Sequence, residues 1–165
     1  MKAQEAAQKA QQSRRPAFEL YVKSSHGGRH PVTSEGYFPS EQAEYSGGPK
    51  ASVVFDVENT GDKDVTNVKL SLKAESEFVL ECDQYDVEKI AESLERGATE
   101  ILVNLKTIRA NHGHKSVRCS ASKSIVVDYV TLYLGIEADQ LPNMVSFPAI
   151  IVANTRNKNH LPREH

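Results

Sequence analysis

The chain has 165 residues, 39% hydrophobic, 25% charged and 7% aromatic, enough to bury one sizeable core in a single domain with or without tails. Twenty Lys plus Arg against 22 Asp plus Glu leave a net charge of −2, which excludes a globally basic nucleic-acid binder and a polyacidic tail protein. The longest mostly apolar stretch, residues 125–136, is interrupted by Asp128 and falls far short of a spanning helix, and no apolar run follows Lys2, so neither a membrane span nor a secretory signal is expected.

Residues 1–15 carry a net charge of +3 and are built from Ala, Gln, Lys and Glu, which are good helix formers. Ala3, Ala6, Ala7 and Ala10 recur at helical spacing, with Lys2, Lys9, Arg14 and Arg15 around them. At about 12 residues an isolated helix is marginal in water, so this arm is expected either to dock on a partner as a helix or to stay a solvated tail. Pro16 ends it. The body, residues 16–153, is then mildly acidic at −7, and residues 154–165 form a second basic tail of +2.

The body is dominated by period-two alternation, the pattern of half-buried strands. An early strand runs over residues 18–23. Residues 24–49, rich in glycine and proline, contain no convincing strand and form a long excursion, either a binding surface or a disordered loop. Ala51, Val53, Phe55 and Val57 then alternate with Ser52, Asp56 and Glu58. After the turn-rich Asn59-Thr60-Gly61-Asp62-Lys63-Asp64, Val68, Leu70, Leu72 and Ala74 alternate with Lys69, Ser71 and Lys73. A four-residue loop makes this a hairpin with Phe55 facing Leu70 inside and Asp56 facing Lys69 outside. Further strands are expected at 77–82, 99–108, 117–121, 129–136 and 145–152, the last an edge strand or a bulged one because of Pro148. Residues 86–97 have helical periodicity at Val87, Ile90, Ala91 and Leu94, and the alternative is an extended link. Together these elements predict an all-β, antiparallel two-sheet sandwich of seven or eight strands. Val53, Phe55, Val57, Val68, Leu70, Leu72, Ile101, Val103, Leu105, Val130, Leu132 and Leu134 are its expected core.

The stretch VVFDVENTGDKDVTNVKLSL, residues 53–72, resembles a recurring motif of prokaryotic immunoglobulin-like sandwiches of the CARDB and NEW3 type. Residues 93–105, with Ser93, Leu94, Gly97, Ile101, Val103 and Leu105, resemble a second element of the same domains, in the expected order. The resemblance covers about residues 50–108. It implies an immunoglobulin-like fold, a binding or spacer role without an active site, and the extended form of residues 86–97.

The chemistry-bearing residues form no recognisable machinery. Cys82 and Cys119 each lie on an inward alternating pattern with no Cys-x-x-Cys spacing, and without a secretory signal they are expected to be free, buried thiols in a cytoplasmic protein. His112-Gly113-His114 lacks the three or four ligands of a zinc site, and Asp56, Glu58, Asp62 and Asp64 lack the calcium-loop pattern, so no metal and no cofactor is expected. Gly27-Gly28 and Gly47-Gly48 before Lys50 do not fit a phosphate loop, and no nucleophile elbow is present. Tyr129 and Tyr133, with Thr131 between them, form an outward stripe that is either cross-strand packing or an interaction face. The expected function is a non-enzymatic interaction or structural module in a larger assembly, a virus or phage particle included, with a protein partner bound through the arm or the tyrosines. A nucleic-acid accessory that binds weakly through its basic ends, and an unrecognised enzyme, are the alternatives.

Overall fold

The computed structural model describes residues 17–23, 28–33, 36–39, 50–75, 77–93, 97–123 and 127–153. Among them eleven strands are found: β1 (Phe18–Lys23), β2 (Arg29–Pro31), β3 (Gly36–Pro39), β4 (Lys50–Asn59), β5 (Val65–Lys73), β6 (Val79–Cys82), β7 (Asp86–Ser93), β8 (Gly97–Ile108), β9 (Gly113–Ser122), β10 (Tyr129–Glu137) and β11 (Val145–Ala153). They form a five-stranded sheet in the order β2-β1-β4-β9-β6 and a six-stranded sheet in the order β3-β11-β10-β5-β8-β7. Every pairing is antiparallel except that of β11 with β3. No helix among the described residues is long and apolar enough to cross a membrane.

The alternation is the physical basis of the sandwich, because successive side chains of a strand leave opposite faces of the sheet. Val53, Phe55 and Val57 of β4 meet Leu70 and Leu72 of β5, Ile101, Val103 and Leu105 of β8, and Val130, Leu132 and Leu134 of β10 in one buried cluster. All twelve residues expected in the core are buried there.

The pairing of strands departs from the sequence expectation in three places. First, β4 and β5 are not a hairpin. They lie in different sheets, and residues 60–64 form an arch from one to the other. Asp56 lies opposite Tyr21 and Ser116, while Lys69 lies opposite Asn104 and Glu137. The reason is Asn59, fully buried at the start of the arch. Its Nδ2 donates to the carbonyls of Lys63 (2.8 Å) and Ile108 (3.1 Å), and its Oδ1 accepts from the Gly61 amide (3.0 Å). These bonds tie the arch to another inter-sheet connection, between β8 and β9, where Asp64 caps the Ala110 amide at 2.8 Å.

Second, of the two forms open for residues 86–97, residues 86–93 take the extended one, as strand β7 antiparallel to β8, and not the helix that their periodicity suggests. Backbone pairing to the open edge of β8 outweighs the helical spacing of Val87, Ile90 and Ala91. Ile90 falls where the register shifts and stays exposed. The excursion after β1 likewise contains two short edge strands, β2 and β3. Strand β9 is longer than expected, and β11 is interior, with its irregularity falling near Pro148.

Third, Cys82 and Cys119 are not free thiols. They are direct register partners on β6 and β9, with Cα atoms 4.0 Å apart, and form a disulfide. Closely spaced facing residues of an antiparallel pair bring two inward sulfurs together. The bridge removes the cysteine argument for a reducing compartment.

Candidate functional site

The outer face of the five-stranded sheet carries the densest polar chemistry of the described residues. Alternation sends Asp56 and Glu58 of β4 to this face, yet Asp56 is fully buried and Glu58 nearly so. Buried charges need partners, and the flanking strands supply them. Arg29 of β2 reaches both carboxylates. Its Nε donates to Asp56 Oδ2 at 2.8 Å, and Nη2 lies 2.7 Å from the same oxygen and 2.9 Å from Glu58 Oε1. From the other side, His114 Nδ1 lies 2.9 Å from Asp56 Oδ1, and His112 Nδ1 lies 2.9 Å from Glu58 Oε2. Ser116 Oγ donates to Asp56 Oδ1 at 3.1 Å.

The electrostatics follow from this packing. The His112 hydrogen bond, aided by Arg29, holds the Glu58 carboxyl below its ordinary range against the opposing effect of burial. The hydrogen bond with Glu58 is the first cause that raises the Arg29 guanidinium above its ordinary value. The Arg29 guanidinium stacks 3.9 Å from the centre of the Tyr21 ring, whose hydroxyl donates to Glu19. That hydrogen bond, with burial, pushes the Tyr21 hydroxyl up to about 12.

The two imidazoles are placed by the same connection that Asn59 organises. The His112 amide donates to the Asn59 carbonyl at 2.8 Å, and the Asn111 amide to the Gly61 carbonyl at 2.9 Å. Asn111 and His112 both have left-handed φ, at 58° and 75°. A Cβ on Gly113 would sit 2.3 Å from the Arg109 carbonyl oxygen, so only glycine closes this turn without a shift.

The opposite surface, the outer face of the six-stranded sheet, carries the tyrosine stripe. Tyr129 and Tyr133 are 48% and 54% exposed. Directly opposed residues share a face, so Tyr133 stands beside Lys73 and Thr131 beside Ile151, which in turn stands beside Tyr37. Further along, an open groove of about 490 Å³ is lined by Asn67, Lys69, Asn104, Glu137, Asp139 and Met144, among others.

Of the residues expected to bind a partner, Tyr129 and Tyr133 are placed together on this exposed face. Lys2, Ala3, Ala6, Ala7, Lys9, Ala10, Arg14 and Arg15 lie outside the described residues. The sequence alone points Asp56 and Glu58 outward from one strand and gives no link from them to His112 and His114. The period-two spacing of Asp56 and Glu58 on β4, with His114 on β9 and His112 in the turn before it, is the only local signal. That β4 and β9 are neighbours, and that Arg29 folds back over them, was not local information. Asp62 and Asp64 are exposed and stand apart from the cluster.

No protein-family model matches the chain, and no curated protein matches its sequence. Solved structures do. A crystal structure from Nocardia farcinica with an immunoglobulin-like fold is similar over 67% of this chain and 91% of that one, at 9% identity and a TM-score of 0.50. A cohesin module from a Clostridium perfringens family 33 glycoside hydrolase is similar over 86% and 99%, at 16% identity and a TM-score of 0.44. A family 123 glycoside hydrolase from Clostridium perfringens is similar over 84% of this chain, at 13% identity and a TM-score of 0.42; the chain spans 28% of that hydrolase. At 9% identity the first of these shows a likeness of fold alone, an immunoglobulin-like sandwich.

Proposed function

We propose that the chain is a non-enzymatic interaction module that docks a protein partner through the outer face of its six-stranded sheet. The observation that carries this reading is the pair of exposed tyrosines on β10. Tyrosine presents a large, stiff, amphipathic surface and is enriched where proteins meet. Around it lie the half-buried Ile151 and Tyr37, and Lys73 paired across the sheet with Glu100 forms a mixed-charge margin. An apolar centre with a polar rim of both signs suits a protein surface, whereas a nucleic acid calls for a basic one. The sequence likeness to CARDB and NEW3-type domains points the same way. So does the immunoglobulin-like sandwich, a scaffold on which exposed sheet faces are free to bind.

The test compares the full chain with its Tyr129→Ser, Tyr133→Ser double variant. A partner captured from the native source is identified, prepared separately and titrated against both. A protein partner bound ~10-fold or more weakly by the double variant, with an unchanged melting temperature, is expected. Equal affinity for both chains, or a nucleic acid as the captured partner, overturns the reading.

A further inference from the structure

The imidazoles of His112 and His114 have no role in docking on the opposite sheet, and their arrangement is specific. Both rings spend Nδ1 on a carboxylate, at 2.9 Å in each case. The two contacts repeat one geometry. On the ladder, Glu58 lies opposite His114 and Asp56 opposite Ser116, so each carboxylate bonds the histidine two residues nearer the turn than its own register position. The rings themselves are open to solvent, with side chains 73% and 55% exposed.

The four carboxylate oxygens are already engaged. Asp56 Oδ1 takes His114 and Ser116, Asp56 Oδ2 and Glu58 Oε1 take Arg29, and Glu58 Oε2 takes His112. Arg29 keeps the pair supplied with positive charge from below. A carboxylate accepts hydrogen bonds and cannot donate them, so the ring nitrogen facing it carries the proton. In a neutral imidazole of that tautomer the lone pair is on Nε2, which is the form that ligates metals, and metal-bound histidines characteristically give their other N–H to a carboxylate.

We infer that His112 and His114 form an open two-histidine site for a borderline divalent transition-metal ion, with Glu58 and Asp56 as the outer partners that orient the rings. Imidazole nitrogen selects zinc, nickel or copper over magnesium and calcium, which take oxygen. Among the described residues no group of three His, Cys, Asp or Glu side chains is placed to hold an ion. The remaining positions therefore belong to water or to an exogenous ligand, and the site is accessible rather than a closed structural cage.

The experiment is calorimetric titration of the chelator-treated full chain with zinc chloride, then with nickel chloride, and with magnesium chloride for comparison. Because the rings are exposed, His112→Ala and His114→Ala keep the fold, which circular dichroism verifies. One zinc per chain is expected, lost in either histidine variant and weakened ~10–100-fold by Glu58→Gln, which retains both rings. Zinc bound equally well by wild type and both histidine variants, no zinc binding by wild type below millimolar concentration, or magnesium bound as tightly as zinc overturns the site. Unchanged affinity in a folded Glu58→Gln chain overturns the outer-partner role.

Discussion

Arg29 holds Asp56 through two guanidinium nitrogens, at 2.7 and 2.8 Å, both on Oδ2 of a carboxylate that is fully buried. Arg29 belongs to a three-residue strand on the sheet edge whose own side chains are all exposed, so little apolar burial keeps it there. The neighbouring Val32, buried and with its amide bonded to the Leu20 carbonyl at 2.8 Å, is its apolar anchor. The guanidinium thus fastens the segment and neutralises the carboxylates in one contact.

Replacing Arg29 with alanine is expected to destabilise the fold by about 1–3 kcal/mol, since it strands Asp56 and Glu58. The Arg29 side chain is 37% exposed, which keeps the loss below that of a fully buried pair. Urea denaturation at pH 7 measures it. Asp56→Asn in the same background should recover part of the loss.

Acid should weaken the fold through Glu58. Its carboxyl is held below the ordinary 4.5, first by the His112 hydrogen bond and then by Arg29. A group lowered on folding contributes stability that is complete above its unfolded value and fades as pH falls through its folded one. Stability is therefore expected to decline once pH drops below about 4.5, and the decline should be shallower in Glu58→Gln. Identical pH profiles for the two proteins would remove Glu58 from this account.

Phe55 is fully buried between the sheets. Truncation to alanine is expected to cost ~3–5 kcal/mol by lost burial and an unfilled cavity. Equilibrium denaturation with an unchanged slope on denaturant would report this directly.

The Cys82–Cys119 bridge spans a separation of 37 residues. Replacing both cysteines by serine is expected to lower stability by about 2–4 kcal/mol. Mass spectrometry after alkylation without reductant should find both sulfurs protected even in the unfolded chain. Two alkylated cysteines there would show that the bridge is not formed and restore the argument for a reducing compartment.

Gly113→Ala should disturb the turn out of proportion to one methyl group. The new Cβ meets a backbone oxygen, which no side-chain rotation can relieve. The contacts of His112 and His114 to the two carboxylates are expected to loosen, and histidine ring resonances by NMR should shift together. Resonances unchanged from wild type would mean that the turn accepts the methyl group.

What was legible in the sequence was each strand's own two faces. Alternation is a local property of the extended backbone, so Phe55, Leu70, Val103 and Leu132 could be assigned inward without knowing their neighbours. For the same reason Tyr129 and Tyr133 could be assigned outward. The choice of neighbour was not legible. A five-residue connection between β4 and β5 is compatible with a hairpin or with an arch, and long-range bonds such as that of Asn59 to the distant Ile108 hold the arch. That arrangement places β9 and β1 beside β4. It turns Asp56 from a solvated surface group into a buried one, unites it with Arg29 and His114, and sets Glu58 against His112. Likewise each cysteine's inward position followed from its own strand, while the bridge followed from the register of β6 on β9. Pairing between strands is a long-range exchange of backbone hydrogen bonds, and the residues that select it lie tens of positions apart, so the tertiary structure alone assembles the site.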